Sequence, residues 1–122
     1  MSVYKPCDIR GPVSELDAGM YRRWGQALGS KLEPGSAFVV GGDVRTTTPA
    51  FLDALTDGLL SQDMRVLTLG VCPTPMVYFH RRQKAAAGCA IVTASHSPAD
   101  YNGLQVMLGD DAPSEEDVLA LR

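Results

Sequence analysis

Within these 122 residues no apolar run approaches the roughly 20 that a helix needs to cross a bilayer, which excludes a chain built on membrane-spanning helices. The first residues, Met1 to Pro6, also lack the apolar core and small-residue cleavage site of a secretory signal, so a cytoplasmic location is the expectation. Cysteine is scarce. Cys7, Cys72 and Cys89 are too few and too scattered for a disulfide framework, and with no C-x-x-C among them they do not suggest a zinc site. They read as reduced thiols, mostly buried. Lysine and arginine form no cluster, and the net charge is -3, which argues against a nucleic-acid partner held by concentrated positive charge. No repeat, low-complexity tract or charge block marks an internal linker, so residues 1–122 read as one domain. What is present is a globular composition, 45% hydrophobic and 20% charged.

Between Asp17 and Leu32 the residues Met20, Tyr21, Trp24, Leu28 and Leu32 recur at three- to four-residue spacing, which predicts an amphipathic helix with Tyr21 and Trp24 in the core. Glu33-Pro34-Gly35 ends it. Residues 37–41 form a short apolar run suited to a strand buried on both faces. Thr48-Pro49 then offers a capping hydroxyl and a first-turn proline to a second helix running to about Gln62. The cycle repeats with a strand over 65–69, a helix from Thr74-Pro75 toward Ala87, and a buried strand over 89–93. A polar loop over 94–102, a shorter strand over 104–108 and a helix capped by Ser114 complete the chain. This alternation predicts a three-layer α/β/α domain with a mainly parallel four-stranded sheet and a short edge strand. In such folds functional groups gather at the carboxyl ends of the strands, here 42–47, 70–73 and 94–98.

The last of these segments carries the most chemistry. Thr93-Ala94-Ser95-His96-Ser97-Pro98 follows directly on a buried strand, where the backbone N–H groups of a tight loop can converge on an anion. The residues alone leave three roles for Ser95: an ordinary turn serine, a hydrolase nucleophile, or a carrier of a phosphoryl group. Hydrolysis is disfavoured, because the adjacent His96 cannot easily reach around its own backbone to activate Ser95, and no Gly-x-Ser-x-Gly elbow is present.

The run Thr93 to Gly103 closely resembles the active-site signature of the α-D-phosphohexomutases, the family of phosphomannomutases and phosphoglucomutases. Three further segments resemble that family in the same order: Cys7-Asp8-Ile9-Arg10-Gly11, Val40-Gly41-Gly42-Asp43-Val44-Arg45, and Gly70-Val71-Cys72-Pro73-Thr74-Pro75. The resemblance implies that Ser95 is phosphorylated and exchanges its phosphoryl group between the 1- and 6-positions of a hexose phosphate through a hexose 1,6-bisphosphate. It implies Arg10 and His96 as catalytic partners, and a magnesium ion bound through the phosphate on Ser95 and acidic residues of another domain. Thr93, Ala94, Asp43, Arg45, Asn102 and Gln105 fall to phosphate binding or loop bracing, with an Asp43–Arg45 ion pair the expected brace. Asp100, Tyr101 and Asn102 are expected to fix the turn through side-chain to backbone bonds.

The match is incomplete. Ser97 stands where the family usually has asparagine, Cys7 where it has tyrosine, Gly42 where it has arginine, and Gln105 where relatives often carry lysine. The resemblance also covers a single domain, without the motifs that bind the metal and the second phosphate. A fragment that is inactive alone, needs the remaining mutase domains and self-associates through surface they would cover is therefore expected. A non-catalytic sugar-phosphate-binding or regulatory module stays open as the alternative.

Overall fold

The computed structural model describes residues 2–110 and 113–122. Five strands, β1 (Ile9–Pro12), β2 (Ala37–Gly42), β3 (Arg65–Val71), β4 (Gly88–Val92) and β5 (Tyr101–Leu108), form one sheet in the order β1-β5-β4-β2-β3. Helices α1 (Ala18–Ser30) and α2 (Thr48–Leu60) cover one face, and α3 (Thr74–Gln83) covers the other. A short helix, α4 (Glu115–Leu119), closes the end of the α1 side. The three-layer α/β/α architecture is the one the sequence pattern predicts. No helix among the described residues is long and apolar enough to cross a membrane.

The sheet is mixed but mainly parallel, as expected: β1, β2, β3 and β4 share one direction and β5 alone runs against them. β2 pairs in parallel with β3 and β4, whereas β5 runs antiparallel to both β4 and β1. The connection between β4 and β5 explains the reversal: residues 93–100 contain no helix, and a parallel crossover needs about a dozen residues or more. The strand expected over 104–108 starts at Tyr101, and with eight residues it is the longest in the sheet. The edge beside it is β1, whose four residues pair Ile9 with Leu104 and Arg10 with Gly103. Gly70 and Val71, expected in a loop, belong to β3.

Local chemistry sets the helix ends. The Asp17 carboxylate accepts the backbone N–H of Met20 at 2.8 Å and caps α1. Thr48 does not cap α2: the cap position is Thr47, and the Thr48 hydroxyl turns inward to Asp43. Helix α3 stops at Gln83, short of Ala87, because the chain turns through Ala85 at a positive φ of 49°. Ser114 caps α4 in a reciprocal box with Asp117, as its sequence suggests.

On the α1 face the stripe of Tyr21, Trp24 and Leu28 is buried against Phe38, Val40, Leu55 and Ala90. Each large apolar side chain buried in this way contributes roughly 1.5–3 kcal/mol. Tyr21 stacks on Phe51 with ring centroids 4.3 Å apart, and its hydroxyl donates to the Gly103 carbonyl oxygen at 2.9 Å, tying α1 to β5. Burial, reinforced by the Asp43 charge, raises the Tyr21 pKa far above its ordinary value. Helices α1 and α2 meet at glycines: a β-carbon on Gly58 would lie 2.1 Å from the Arg22 carbonyl oxygen, and one on Gly25 2.3 Å from that of Leu55. The thinner core under α3 holds Val39, Val77, Cys89 and Ile91. Of the three cysteines, all free, Cys89 alone is fully buried, its thiol pushed up to about 11 chiefly by desolvation, while Cys7 is exposed.

Candidate functional site

The carboxyl ends of β2 and β4 lie side by side, because Gly42 pairs with Val92 and the Asp43 N–H donates to the Val92 carbonyl oxygen at 3.1 Å. The loops that follow them therefore meet. Asp43 is at the centre. One carboxylate oxygen accepts from the Arg45 backbone N–H at 3.1 Å and from the Thr48 hydroxyl at 2.9 Å. The other accepts from Arg45 Nε at 2.9 Å and from the Thr93 hydroxyl at 2.7 Å. Burial by itself raises the Asp43 pKa, but these bonds, led by that from Thr93, outweigh it and hold the carboxyl below its ordinary value.

Arg45 then reaches across to the serine loop. Beyond its bond to Asp43, the guanidinium donates to the carbonyl oxygens of Ser95 at 3.0 Å, Ser97 at 2.9 Å, Pro98 at 2.5 Å and Tyr101 at 3.2 Å. All five of its N–H donors are engaged, so Arg45 braces the loop and has no donor left for a ligand. The bracing ion pair that the sequence suggests is thus present, with Arg45 89% buried at its side chain. Asn102, fully buried, adds a second tie: its amide donates to the hydroxyls of Thr47 at 2.8 Å and Thr48 at 3.1 Å, and accepts from the Gly103 N–H. The sequence reading gives neither Thr47 nor Thr48 a bracing role: it places Thr47 only within the 42–47 segment and Thr48 at a helix cap. Three threonines directly after Asp-x-Arg are the signal, obscured because Thr-Pro also marks a helix start.

Within this frame Ser95 is exposed and sits at φ 56°, in the left-handed region that costs a non-glycine residue roughly 1–2 kcal/mol. Its N–H donates to the Thr93 hydroxyl at 3.0 Å, and the Ser97 N–H closes the turn onto the Ala94 carbonyl oxygen. The Ser95 hydroxyl oxygen accepts from the side-chain amide of Gln105 at 2.7 Å. An open cleft of about 530 Å³ runs beside Ser95, lined by Asp43, Arg45, Thr46 and Ala99 among others. The more enclosed apolar hollow, between α1, β5 and α4, lies away from this chemistry.

His96 is exposed and makes no hydrogen bond among the described residues. Arg10 is not joined to Ser95 by a hydrogen bond; its Nε contacts Asp8 at 3.2 Å, with the Arg10 side chain 41% exposed. Strand register nonetheless sets Arg10 on the same sheet face as Gln105. Ile9 and its partner Leu104 point into the α1 core, so Arg10 and Gln105 point the other way. For a metal ion the described residues offer no group of three or more His, Cys, Asp or Glu side chains, and both oxygens of Asp43 are engaged. The described residues do not by themselves fit a magnesium ion.

Residues 3–120 match the family described as phosphoglucomutase/phosphomannomutase, alpha/beta/alpha domain I. The chain belongs to the phosphoglucomutase/phosphomannomutase family. Against the phosphohexose mutases of Xanthomonas campestris it is 41% identical over 118 residues, covering 96% of this chain and 26% of that protein. A phosphomannomutase of Vibrio cholerae is 38% identical over 122 residues, with the same coverage. The crystal structure of a phosphoglucomutase/phosphomannomutase family protein from Burkholderia thailandensis superimposes with a TM-score of 0.88 at 35% identity, covering 98% of this chain and 28% of that one. The chain thus spans about a quarter of the length of these family members.

Proposed function

We propose that this domain carries the reactive serine of a hexose-phosphate mutase, with Ser95 alternately accepting and donating a phosphoryl group. The observation that supports this best is the setting of Ser95: exposed, held at φ 56°, its carbonyl clamped by Arg45 and its hydroxyl contacted by a single amide donor. A hydrolase nucleophile needs a base to remove its proton, whereas a carrier serine needs fixed position and donors around a phosphate. The arrangement suits the carrier.

In the reaction proposed, phosphorylated Ser95 transfers its group to a free hydroxyl of a hexose phosphate, giving a hexose 1,6-bisphosphate. That intermediate returns its other phosphoryl group to Ser95 after reorientation, so the group moves between the 1- and 6-positions. Negative charge spreads over the equatorial oxygens during transfer, which calls for positioned cations and N–H donors. Arg10, a cation on the Gln105 face of the sheet, and His96, exposed next to Ser95, are the groups available here. Sugar contacts, and the protein ligands of a magnesium ion at the serine phosphate, come from outside this chain in this reading.

The test is an assay of the full-length protein carrying this domain, with glucose 1-phosphate or mannose 1-phosphate and catalytic glucose 1,6-bisphosphate. Formation of the 6-phosphate, lost in Ser95→Ala with sugar-phosphate binding retained, is the expected result. Binding without turnover in the unmutated protein would instead support a non-catalytic sugar-phosphate module.

A further inference from the structure

Gln105 pairs with Ile91 on β4, and Ser95 lies four residues beyond Ile91, just past the end of that strand. Its neighbour Leu104 is buried under α1, so Gln105 projects from the opposite face, up to the serine loop. There its Nε2 lies 2.7 Å from Ser95 Oγ. The other bonds of Ser95 are made by its backbone, to Thr93 and from Arg45, and leave Oγ with one side-chain contact among the described residues. That contact is a donor. A carboxylate or imidazole in the same place would mark Oγ as a nucleophile awaiting deprotonation; an amide N–H marks it as an oxygen on which charge develops.

We propose, building on the carrier role of Ser95, that Gln105 is a catalytic residue that stabilises the Ser95 oxygen as it leaves phosphorus. Oγ is the bridging oxygen of the phosphoserine. As the P–Oγ bond breaks, its electron pair stays on Oγ, while the sugar hydroxyl oxygen forms the new bond to phosphorus. The hydroxyl's proton ends on Oγ, so the step balances without any outside reactant. The Gln105 N–H is aimed at the atom that carries charge in between. Such a donor accelerates transfer because it is already oriented when charge appears. Two features hold the serine in front of that donor: the left-handed backbone at Ser95, and the Arg45 bond to its carbonyl. An amide neither gains nor loses a proton between pH 5 and 10, so Gln105 acts without being a general acid or base.

The experiment loads Ser95 of the full-length protein with phosphate from glucose 1,6-bisphosphate and follows a single turnover onto glucose 1-phosphate by rapid quench. Gln105→Met keeps the length of the side chain and removes the donor. It is expected to slow transfer by roughly a hundredfold, the scale on which loss of one such donor acts, with glucose 1-phosphate affinity and urea midpoint unchanged. Gln105→Lys restores an N–H donor and is expected to recover most of the rate. Equal rates in Gln105→Met and the unmutated protein, or no rescue by lysine, would overturn the assignment while leaving the carrier role of Ser95 intact. No phosphate on Ser95 of the unmutated protein would overturn both.

Discussion

The guanidinium of Arg45 lies 3.0 Å from the carbonyl oxygen of Ser95, and the same side chain is bound through Nε to Asp43 at 2.9 Å. One arginine therefore transmits the position of the β2 turn to the reactive-serine loop. Replacing it with methionine, which keeps the apolar stem, removes five donated bonds and leaves Asp43 without its ion-pair partner. Loss of about 3 kcal/mol is expected, the low end for breaking a buried pair, because Asp43 keeps 26% of its side-chain exposure. Urea denaturation measures the loss, and limited proteolysis should show cleavage between Ser95 and Tyr101 that the unmutated protein resists.

Asp43 makes the stability of this frame depend on acid. Its folded pKa is lowered, so the unfolded chain binds more protons as the carboxyl titrates. The stabilisation is complete above the ordinary aspartate value of about 3.9 and is lost as pH falls through the folded value. Urea midpoints measured from neutrality downward should hold level and then drop in that window. In Asp43→Asn the contribution of this group to the drop should vanish, with a lower plateau at neutral pH.

The positive φ at Ser95 separates two substitutions that remove the same hydroxyl. Glycine tolerates the left-handed region and alanine does not, so Ser95→Gly should be more stable than Ser95→Ala by about 1 kcal/mol. An alanine variant as stable as the glycine one would show that the loop relaxes out of this conformation.

Where α1 crosses α2 there is no room for a side chain at Gly58, since its β-carbon would sit 2.1 Å from the Arg22 carbonyl oxygen. Gly58→Ala must push the helices apart, and a destabilisation of about 1–3 kcal/mol is expected from overpacking. Gly35→Ala, at a position with open space around it but a positive φ, would report backbone strain alone. Comparing the two by thermal denaturation separates crowding from strain.

The parts of this structure written in periodic apolar patterns were legible in the sequence: both helices of the α1 face, the buried strands β2 and β4, and the gathering of polar loops at their carboxyl ends. The Asp43–Arg45 brace was legible too, because the predicted strand order sets their turn beside the Ser95 loop. Strand β1 was not. Its four residues include Gly11 and Pro12, carry no alternation, and become a strand only by pairing with β5, about ninety residues away in sequence. The same non-local pairing hid the start of β5, where Tyr101-Asn102-Gly103 reads as a turn. The contact between Gln105 and Ser95 was also hidden: sequence gives their spacing, but only the antiparallel return of β5 beside β4 brings the amide to the hydroxyl.

The central claim is that Ser95 carries a phosphoryl group, and phosphopeptide mapping of the full-length protein after incubation with glucose 1,6-bisphosphate tests it most directly. The account predicts one phosphate, on Ser95, that is absent from Ser95→Ala and is discharged when glucose 1-phosphate is added. A Ser95 that stays unmodified, or a phosphate that persists in the alanine variant, would contradict it.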